Sequence, residues 1–450
     1  MKTYYIKTFG CQMNYSDSER IAGFLEAQKI NPAKDIKSAD LVVFNTCGVR
    51  QMAEDRVYGQ AHNLRVKSQK SKVKIILTGC LAHRKDVQRR LKNKVDLFFN
   101  IKNFQEEIIK LLRHPESPQR RIPNKKDNDS LDQHWDSSRD VQNDSYFCTK
   151  PKYASKHTAL IPIMTGCNNF CSYCVVPYAR GREISRPASE ILKEIKGRIK
   201  AGYKEIILLG QNVNSYKDKK INFSKLLKKV DAIPGNFWIS FVSNHPKDFS
   251  GVLIETATKL KKVCEYIHLP IQAGDDKILE KMNRKYTQKQ YLKLVEKIRK
   301  SFRKNKPEKL YSLTSDVIVG FPGETKKQFE KSAEIMRKAG YDMVYFGQFS
   351  PRPETAAWKM KDNISKEEKS RREQFLNEIL KKTSFENNKK YLNKTLEVLV
   401  DKEKKGYYFG RTRTMKNVKI ISNKKNLVGK IVKAKITKAN IWNLESKLSS

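Results

Sequence analysis

The sequence predicts an α/β protein of several domains that ends in a small β-barrel. Residues 1–113 and the chain after about residue 157 both alternate strand-like and helix-like stretches, which is typical of parallel sheets. From residue 386 onward the pattern changes to short strands separated by Lys, Asn and Gly, which favours a small barrel. The length of 450 residues allows about three domains of the usual ~150 residues each.

The chain is strongly basic, with 92 Lys+Arg against 48 Asp+Glu and a formal charge of +44. Such a charge favours a polyanionic partner, and nucleic acid is the first candidate, although an anionic membrane or a lysine-rich composition would give the same excess. The N-terminus has no apolar run of signal-peptide length, and no stretch reaches the ~20 apolar residues of a membrane span. We therefore expect a cytoplasmic protein that does not enter a membrane.

In residues 1–113, three strand-like stretches each end in a cysteine and precede a helical pattern. They are TYYIKTFGC, LVVFNTC and KIILTGC, which end at Cys11, Cys47 and Cys80. Ligands bind at the C-terminal edge of a parallel sheet, where neighbouring strands lie ~4.8 Å apart. A single cysteine of this kind is usually a small core residue, but three at one edge predict a thiolate metal centre.

Residues 114–156 are polar and have no apolar period, which predicts a linker or a surface insertion. We interpret Cys148, which lies there, as incidental. Residues 157–385 then contain six strand-like stretches separated by helical ones, and this favours a parallel barrel or partial barrel with its chemistry at the C-terminal strand ends. This region ends in a charged helical connector, roughly residues 365–391. The basic barrel of residues 386–450 is either a surface that binds nucleic acid or a solvated lysine-rich surface.

The stretch GCNNFCSYC places Cys167, Cys171 and Cys174 directly after the first strand of the second unit. Thiolates are the ligands that both zinc and iron-sulfur centres prefer. A structural zinc site needs four ligands, and no fourth Cys or His stands near in sequence. Three thiols with one position left open therefore predict a 4Fe-4S cluster with one iron able to bind another molecule.

The C-x3-C-x2-C spacing, with an aromatic residue before the last Cys, resembles the radical S-adenosylmethionine (SAM) superfamily. With the cysteine-edged sheet before it and the basic barrel after it, the chain resembles the methylthiotransferases over nearly its whole length except the linker. Several stretches resemble the MiaB-type branch, which modifies tRNA: TFGCQMNYSDSERIAG, LLGQNVNSY, HPKDF, HLPIQAGDDKILEKMNRKYT, DVIVGFPGET and GRTRT. The resemblance implies a flavodoxin-like N-terminal domain, a radical-SAM partial (β/α) barrel and a C-terminal OB-like TRAM barrel.

By the same resemblance, the enzyme adds a methylthio group to C2 of N6-dimethylallyl (isopentenyl) adenosine at position 37 of tRNAs that read codons starting with U. The substrate therefore lies in the tRNA anticodon stem-loop. The resemblance implies two 4Fe-4S clusters, an auxiliary one on Cys11, Cys47 and Cys80 and a radical-SAM one on Cys167, Cys171 and Cys174. It also implies two SAM molecules per turnover, an electron donor such as flavodoxin or ferredoxin, and a monomer.

Family motifs assign SAM binding to residues just beyond predicted strands, where polar atoms can reach a ligand, although turn residues without a ligand are the alternative. These residues are Gly210, Gln211, Asn212, Gln272, Val319, Gly320 and Glu324. Two arginines of YARGREISRP, Arg180 and Arg182, can meet either a SAM carboxylate or an RNA phosphate, since a guanidinium fits both.

Other residues allow no firm assignment. We expect Cys264 to lie in the core, and His245 and His268 to be either polar site residues or satisfied core and loop residues. Two positions depart from the family pattern: Glu354 stands where a glycine is usual, and NLESKL lacks a glycine turn, so we expect the last strand to close its barrel differently. Two alternatives remain, namely a related enzyme for a ribosomal protein or a different adenosine, and a non-catalytic iron-sulfur or zinc RNA-binding protein.

Overall fold

The computed structural model describes residues 1–48, 51–67, 73–113 and 145–449. Most of the predicted linker therefore lies outside the described residues. Within the described ranges, no helix combines the length and the apolar character that a membrane crossing needs.

The N-terminal domain is a parallel sheet with helices on both faces. Its strands are β1 (Thr3–Phe9), β2 (Asn31–Pro32), β3 (Leu41–Thr46), β4 (Lys74–Gly79) and β5 (Leu97–Phe98), and its helices are α1 (Gln12–Ala27), α2 (Gln51–Lys67), α3 (Lys85–Leu91) and α4 (Phe104–Arg113). The strand order β2-β1-β3-β4-β5 is that of the flavodoxin-like fold. The predicted fold class of this domain is confirmed.

The central strands of this sheet are buried on both faces, which explains their continuous apolar sequence. Leu41 and Val43 of β3 pack on one face with Ile21 of α1. Val42 and Phe44 pack on the other face with the helix α2. Two layers of helices thus exclude water from the strands and leave only their ends open to other groups.

A short helix, α5 (Ser145–Cys148), follows the gap in the described residues. Its Tyr146 and Phe147 are 1% and 3% exposed and belong to the hydrophobic core on the α1 face of the sheet. This end of the predicted linker is therefore part of the packed structure. Cys148 itself is exposed.

The second domain contains the six predicted parallel strands. The strands of this region are β6 (Thr158–Pro162), β7 (Met164–Thr165), β8 (Ile184–Ser185), β9 (Glu205–Leu209), β10 (Lys217–Asp218), β11 (Ile221–Asn222), β12 (Trp238–Phe241), β13 (Tyr266–His268), β14 (Ser312–Val319) and β15 (Met343–Gln348). Its helices are α6 (Val176–Arg180), α7 (Ala188–Lys200), α8 (Phe223–Asp231), α9 (Gly251–Lys259), α10 (Asp276–Lys281), α11 (Gln288–Asn305), α12 (Lys326–Ala339) and the long α13 (Lys366–Lys389).

These strands form two parallel sheets that together make a partial barrel. One sheet has the order β12-β9-β6 and the other β13-β14-β15. A parallel bridge between Ile239 and Val263, with a hydrogen bond from the Cys264 N–H to the Ile239 carbonyl, links the two sheets. Cys264 is 1% exposed and lies in the core as expected. The C-terminal ends of the six strands define the open mouth of the barrel.

The C-terminal domain is a closed barrel, as predicted. Its strands are β16 (Thr395–Lys404), β17 (Tyr407–Thr412), β18 (Asn417–Ile421), β19 (Ile431–Ala439) and β20 (Leu444–Leu448), in the order β16-β17-β18-β20-β19. The last strand, β20, pairs with β18 on one side and β19 on the other, so the missing glycine turn does not leave the barrel open.

Two arginines of GRTRT attach this barrel to the second domain. Arg411 donates to the buried carboxylate of Glu205 at 3.0 Å, and Arg413 donates to that of Glu265 at 2.8 Å. Both carboxylates are at most 2% exposed. This motif therefore fixes the position of the barrel relative to the second domain.

Candidate cluster and cofactor site

The hydrogen-bond ladder of the N-terminal sheet positions two of its three edge cysteines. Thr46 and Gly79 are partners in the parallel register of β3 and β4. The ladder continues one residue further, because the Cys47 N–H donates to the Phe9 carbonyl at 2.7 Å and the Cys80 N–H to the Thr46 carbonyl at 2.8 Å. Cys47 and Cys80 therefore lie side by side at the sheet edge, and both are buried.

Cys11 lies at the same edge, directly before α1. Its backbone N–H donates to Asn14 Oδ1 at 3.2 Å, and its sulfur lies 3.4 Å from the same oxygen. Asn14 is held by Asn45, which closes a buried polar network behind the cysteines. Cys11 is exposed as a whole residue, but protein atoms surround its thiol, and this desolvation raises the thiol pKa while the Arg180 guanidinium lowers it. A helix N-terminus also favours a negatively charged sulfur.

The second cysteine group faces this edge, and Gly48 shows how close the two are. A Cβ atom built on Gly48 would lie 3.1 Å from both the Cys80 carbonyl oxygen and Val175 Cγ2. Val175 directly follows Cys174 in the chain. Burial raises the pKa of Cys174 well above its usual value, and neighbouring thiolates, including that of Cys80, add to the rise. The two cysteine groups thus belong to one site between the domains.

The loop of the second group is fixed at its N-terminal end. The Cys167 N–H donates to the Gly181 carbonyl at 3.1 Å, and Gly166 before it has a left-handed backbone (φ 82°) that favours glycine. Gln211 Oε1 accepts the Gly166 N–H at 2.6 Å. Burial raises the pKa of the Cys167 thiol to about 11. Gln211, predicted to bind SAM, thus also holds the cysteine loop.

Three thiols at each position fit the ligand set of an iron-sulfur cluster. In the four ranges that the structure describes, no three His, Cys, Asp or Glu side chains are grouped closely enough to hold a single metal ion. A cluster needs no such grouping, because each thiolate binds a different iron. Thiolates are, in addition, the ligands that iron-sulfur clusters select.

The barrel mouth beside the second group contains buried polar atoms without partners. Among the described residues, four such atoms follow β9 and β12: Asn212 Oδ1, Asn214 Nδ2, Asn244 Oδ1 and His245 Nε2. Native proteins leave few buried polar groups unsatisfied, so a group of them indicates a missing ligand. Both acceptors and donors are present, which fits the amino acid, ribose or base parts of SAM or of a second nucleoside.

The ring of His245 is neutral in this environment. Burial lowers its pKa to about 2, with Arg284 and Lys247 adding to the effect. Its Nδ1 accepts the Lys247 backbone N–H at 3.2 Å, so the ring proton lies on Nε2. This Nε2 is a buried donor without a hydrogen-bond partner. His268, by contrast, is satisfied, because its nitrogens lie 2.9 Å from Thr314 Oγ1 and 3.2 Å from Asp316 Oδ2.

Strained backbone marks the same mouth. Phe170 in the cysteine loop, Ser243 after β12 and Gln272 after β13 all have left-handed φ angles of 46°, 63° and 71°. Such conformations cost of the order of 1–3 kcal/mol in residues other than glycine and cluster at functional sites. Gln272, one of the predicted SAM residues, therefore lies at the mouth in a conformation that the surrounding structure imposes.

The remaining predicted SAM residues have structural partners. Glu324 is 4% exposed; it accepts the Gly320 N–H at 3.0 Å and pairs with Arg372 of α13 at 2.7 Å. Val319 is buried in the barrel core, and Gly210 packs against Met164. These contacts explain how the loop after β14 is built, and they leave the Glu324 carboxylate engaged with α13.

The two arginines of YARGREISRP differ. Arg180 is 3% exposed, and its Nη2 donates to Asp17 Oδ2 at 2.5 Å, while Tyr146 donates to the other oxygen of Asp17 at 2.6 Å. This ion pair places Arg180 at the domain interface, and its predicted contact with a SAM carboxylate or an RNA phosphate stays a prediction. Arg182 is exposed and stacks on the Phe170 ring at 4.4 Å, where it can still reach an anionic ligand.

Sequence reasoning missed three further contacts of the site. Arg284 Nη1 donates to Cys171 Sγ at 3.4 Å. Arg352 Nη1 donates to the buried Glu54 at 2.9 Å, which ties the loop after β15 to α2. Next to it, Glu354 Oε2 lies 3.4 Å from His83 Nε2, so the departure from the family's glycine adds a contact between domains. Arg284 belongs to NRKYT, which offered a family match without indicating a role.

Comparison with protein families divides the chain into the same three parts. Residues 161–336 match the Radical SAM superfamily, residues 3–100 match a family described as Uncharacterized protein family UPF0004, and residues 389–448 match the TRAM domain. The chain is 40% identical to the tRNA-2-methylthio-N(6)-dimethylallyladenosine synthase of Carboxydothermus hydrogenoformans, over 99% of both chains. It is also 40% identical to the synthase of the same name from Clostridium tetani, over 98% of this chain and 95% of that one.

Solved structures support the fold. A radical S-adenosylmethionine methyltransferase, TsrM, from Kitasatospora setae, with cobalamin and a 4Fe-4S cluster bound, superposes with a TM-score of 0.55 over 79% of this chain and 77% of that chain. The structure of TsrM with tryptophan and a SAM analogue gives a TM-score of 0.53, over 79% of this chain and 75% of that chain. Sequence identities of 13% and 12% limit this likeness to the fold.

Proposed function

Because this chain belongs to the family of tRNA-2-methylthio-N(6)-dimethylallyladenosine synthases, we propose that it adds a methylthio group to C2 of N6-dimethylallyladenosine in tRNA. The adenosine is that at position 37, in tRNAs that read codons starting with U. The observation that carries this proposal is the pair of cysteine groups that face each other across Gly48. A reaction that joins sulfur, a methyl group and a carbon radical needs its sources at one place.

The radical-SAM family implies one 4Fe-4S cluster and SAM. Cys167, Cys171 and Cys174 would hold that cluster, and Cys11, Cys47 and Cys80 would hold a second one. When bound, these groups supply an adenosyl radical, a methyl group and a place for sulfur. The residues of the chain bind and orient them and keep water from the mouth between the domains.

The protein groups around the barrel mouth divide this work. The side-chain amide nitrogen of Asn212 donates to Asp248 at 2.8 Å, and that of Asn244 donates to the His268 carbonyl at 2.8 Å. The side-chain oxygens of both residues therefore remain as acceptors. His245 adds a neutral donor. These fixed donors and acceptors support the binding of SAM and of the substrate adenosine in one orientation.

The C-terminal barrel supplies a surface for tRNA. Lys435 of β19 and Lys447 of β20 are exposed and stand directly opposite each other in the antiparallel pair. Like charges in such a pair are destabilising, and a phosphate between them relieves the repulsion. The electron donor, the monomeric state and the cytoplasmic location implied by the resemblance stay predictions.

Nucleoside mass spectrometry of tRNA tests the function directly. Cells that lack this protein should lose 2-methylthio adenosines and accumulate dimethylallyladenosine, and the full chain should restore the modification. A Cys80→Ala chain should not restore it, whereas Cys148→Ala, which changes an exposed cysteine outside both groups, should do so. Unchanged 2-methylthio adenosines in the deletion strain would refute the proposed function.

The purified enzyme tests the division between the two cysteine groups. Cys80→Ala should still cleave SAM to 5'-deoxyadenosine under reducing conditions, because the radical-SAM cysteines are intact, but it should form no methylthio product. Loss of SAM cleavage in a variant with a normal iron content at Cys167, Cys171 and Cys174 would argue against two separable clusters.

A further inference from the structure

Arg284 lies buried beside the radical-SAM cysteines and has an unusual set of contacts. It is 7% exposed, and its Nη1 donates to Cys171 Sγ at 3.4 Å. The other two nitrogens are fixed by neutral groups, Nε by the Tyr286 hydroxyl at 2.8 Å and Nη2 by the Pro270 carbonyl at 3.1 Å. Tyr286 in turn donates to the Ile271 carbonyl at 2.9 Å, so the guanidinium has little freedom to move.

The charge of Arg284 is not balanced by a carboxylate. Among the residues that the structure describes, no Asp or Glu oxygen lies within 4.0 Å of its guanidinium, although other buried arginines such as Arg180 and Arg372 have one. A buried charge is costly unless it is paired. The group that Arg284 contacts instead is Cys171 Sγ, and this sulfur would carry a negative charge as a ligand of the proposed cluster.

We propose that Arg284 sets the reduction potential of the radical-SAM cluster by donating a charged hydrogen bond to Cys171. In the reductive step an external low-potential donor gives one electron to the cluster, no bond forms or breaks, and the cluster with its thiolates gains one negative charge. A fixed cation and a hydrogen bond to the sulfur stabilise that more negative state. Arg284 thereby makes the cluster easier to reduce and acts through Cys171 rather than on a substrate.

This inference rests on the proposed function, since it needs a cluster on Cys167, Cys171 and Cys174. The test is a redox titration of the full-length, anaerobically reconstituted enzyme, followed by electron paramagnetic resonance, in which the signal that changes on addition of SAM identifies this cluster. Arg284→Gln should lower its midpoint potential by about 59 mV, which is a tenfold change in the equilibrium constant of a one-electron couple. The control Arg198→Gln, which removes a guanidinium stacked on Tyr153, should leave the potential unchanged.

Arg284→Lys is a second test variant, which keeps the inference testable if Arg284→Gln does not load iron. Lysine keeps the charge but not the forked geometry, so its midpoint potential should fall between those of the wild type and the Gln variant. A wild-type potential in either loaded variant would overturn the inference while leaving the proposed function intact. A wild-type enzyme that shows no SAM-sensitive cluster would instead contradict the proposed function.

Discussion

Removing the Asp17 carboxylate should weaken the docking of the N-terminal domain on the barrel. Asp17 and Arg180 are 0% and 3% exposed and pair at 2.5 Å, and no other carboxylate of the described residues lies within 4.0 Å of Arg180. Asp17→Ala therefore leaves a buried cation without its partner, which costs about 3–5 kcal/mol. Tyr146 loses its hydrogen bond to the same carboxylate, but this loss does not simply add to the first because the three groups form one network.

Native-state hydrogen exchange with mass spectrometry measures this loss where it occurs. At 1.4 kcal/mol for each factor of ten, amides of α1 and of residues 145–154 should exchange roughly 100- to 4,000-fold faster in Asp17→Ala than in the wild type. Exchange in the C-terminal barrel should not change. The double variant Asp17→Ala/Arg180→Met should recover part of the protection, because it removes the unpaired charge and leaves an apolar side chain.

The surface variant Glu106→Ala is the matched control within the same domain. Glu106 pairs with Lys110 on an exposed face of α4, where ion pairs contribute little. Exchange in α1 should then stay at the wild-type rate. If Asp17→Ala accelerates exchange by less than about tenfold, the buried pair does not hold the domains together and the reasoning is refuted.

Two further predictions concern pH and salt. Burial raises the pKa of Glu19 to about 7, above its ordinary value of 4.5, despite its hydrogen bond from the Ala154 N–H and its neighbour Arg20. The protonated Glu19 therefore stabilises the folded state fully below pH 4.5, and this contribution of about 3 kcal/mol is lost as the pH rises through 7. Hydrogen exchange at pH 5 and pH 8 should show the loss in the wild type. A loss of equal size in Glu19→Gln would refute the prediction. Replacing Lys435 or Lys447 by Ser should weaken tRNA binding and reduce the slope of log affinity against log salt concentration by about 0.7–0.9 for each lysine. The control Lys297→Ser on α11 should leave the slope unchanged. Equal slopes in all variants would exclude phosphate contacts by Lys435 and Lys447.

The placement of Cys47 and Cys80 at the sheet edge could be predicted because it depends on local geometry. A residue that follows a strand of a parallel sheet lies at the C-terminal edge, whatever the loops do, and Cys47 and Cys80 lie there by continuation of the ladder. The triad of Cys167, Cys171 and Cys174 lies within eight residues of chain, so its convergence needs no knowledge of the fold.

Contacts between segments that are far apart in the chain could not be predicted, because hydrophobic periodicity shows which face is buried and not what covers it. Gly48 meets Val175, Arg284 meets Cys171 and Asp17 meets Arg180 across more than a hundred residues of chain in each case. The prediction that Arg180 and Glu324 bind ligands rests on charges that suit an anion or a polar cofactor, and in the structure each also pairs with a protein group of opposite charge. A protein partner of opposite charge satisfies the same chemistry, and the sequence alone does not distinguish the two.

The burial of Tyr146 and Phe147 shows a related limit. The apolar residues of residues 114–156 are few and scattered and produce no period, so the sequence predicts a linker. Their burial depends on the surface that α1 offers them, and that surface exists only once the N-terminal sheet has formed.

The extended ladder at Cys47 and Cys80 has a consequence for how the enzyme acquires its iron. In small zinc domains the metal organises an otherwise unfolded chain. Here the polypeptide itself makes the backbone hydrogen bonds, at 2.7 and 2.8 Å, that keep the two sulfur-bearing residues in register. We therefore expect a cell short of iron to retain a folded apo-enzyme, to which the proposed N-terminal cluster can be added when iron returns, without new protein synthesis.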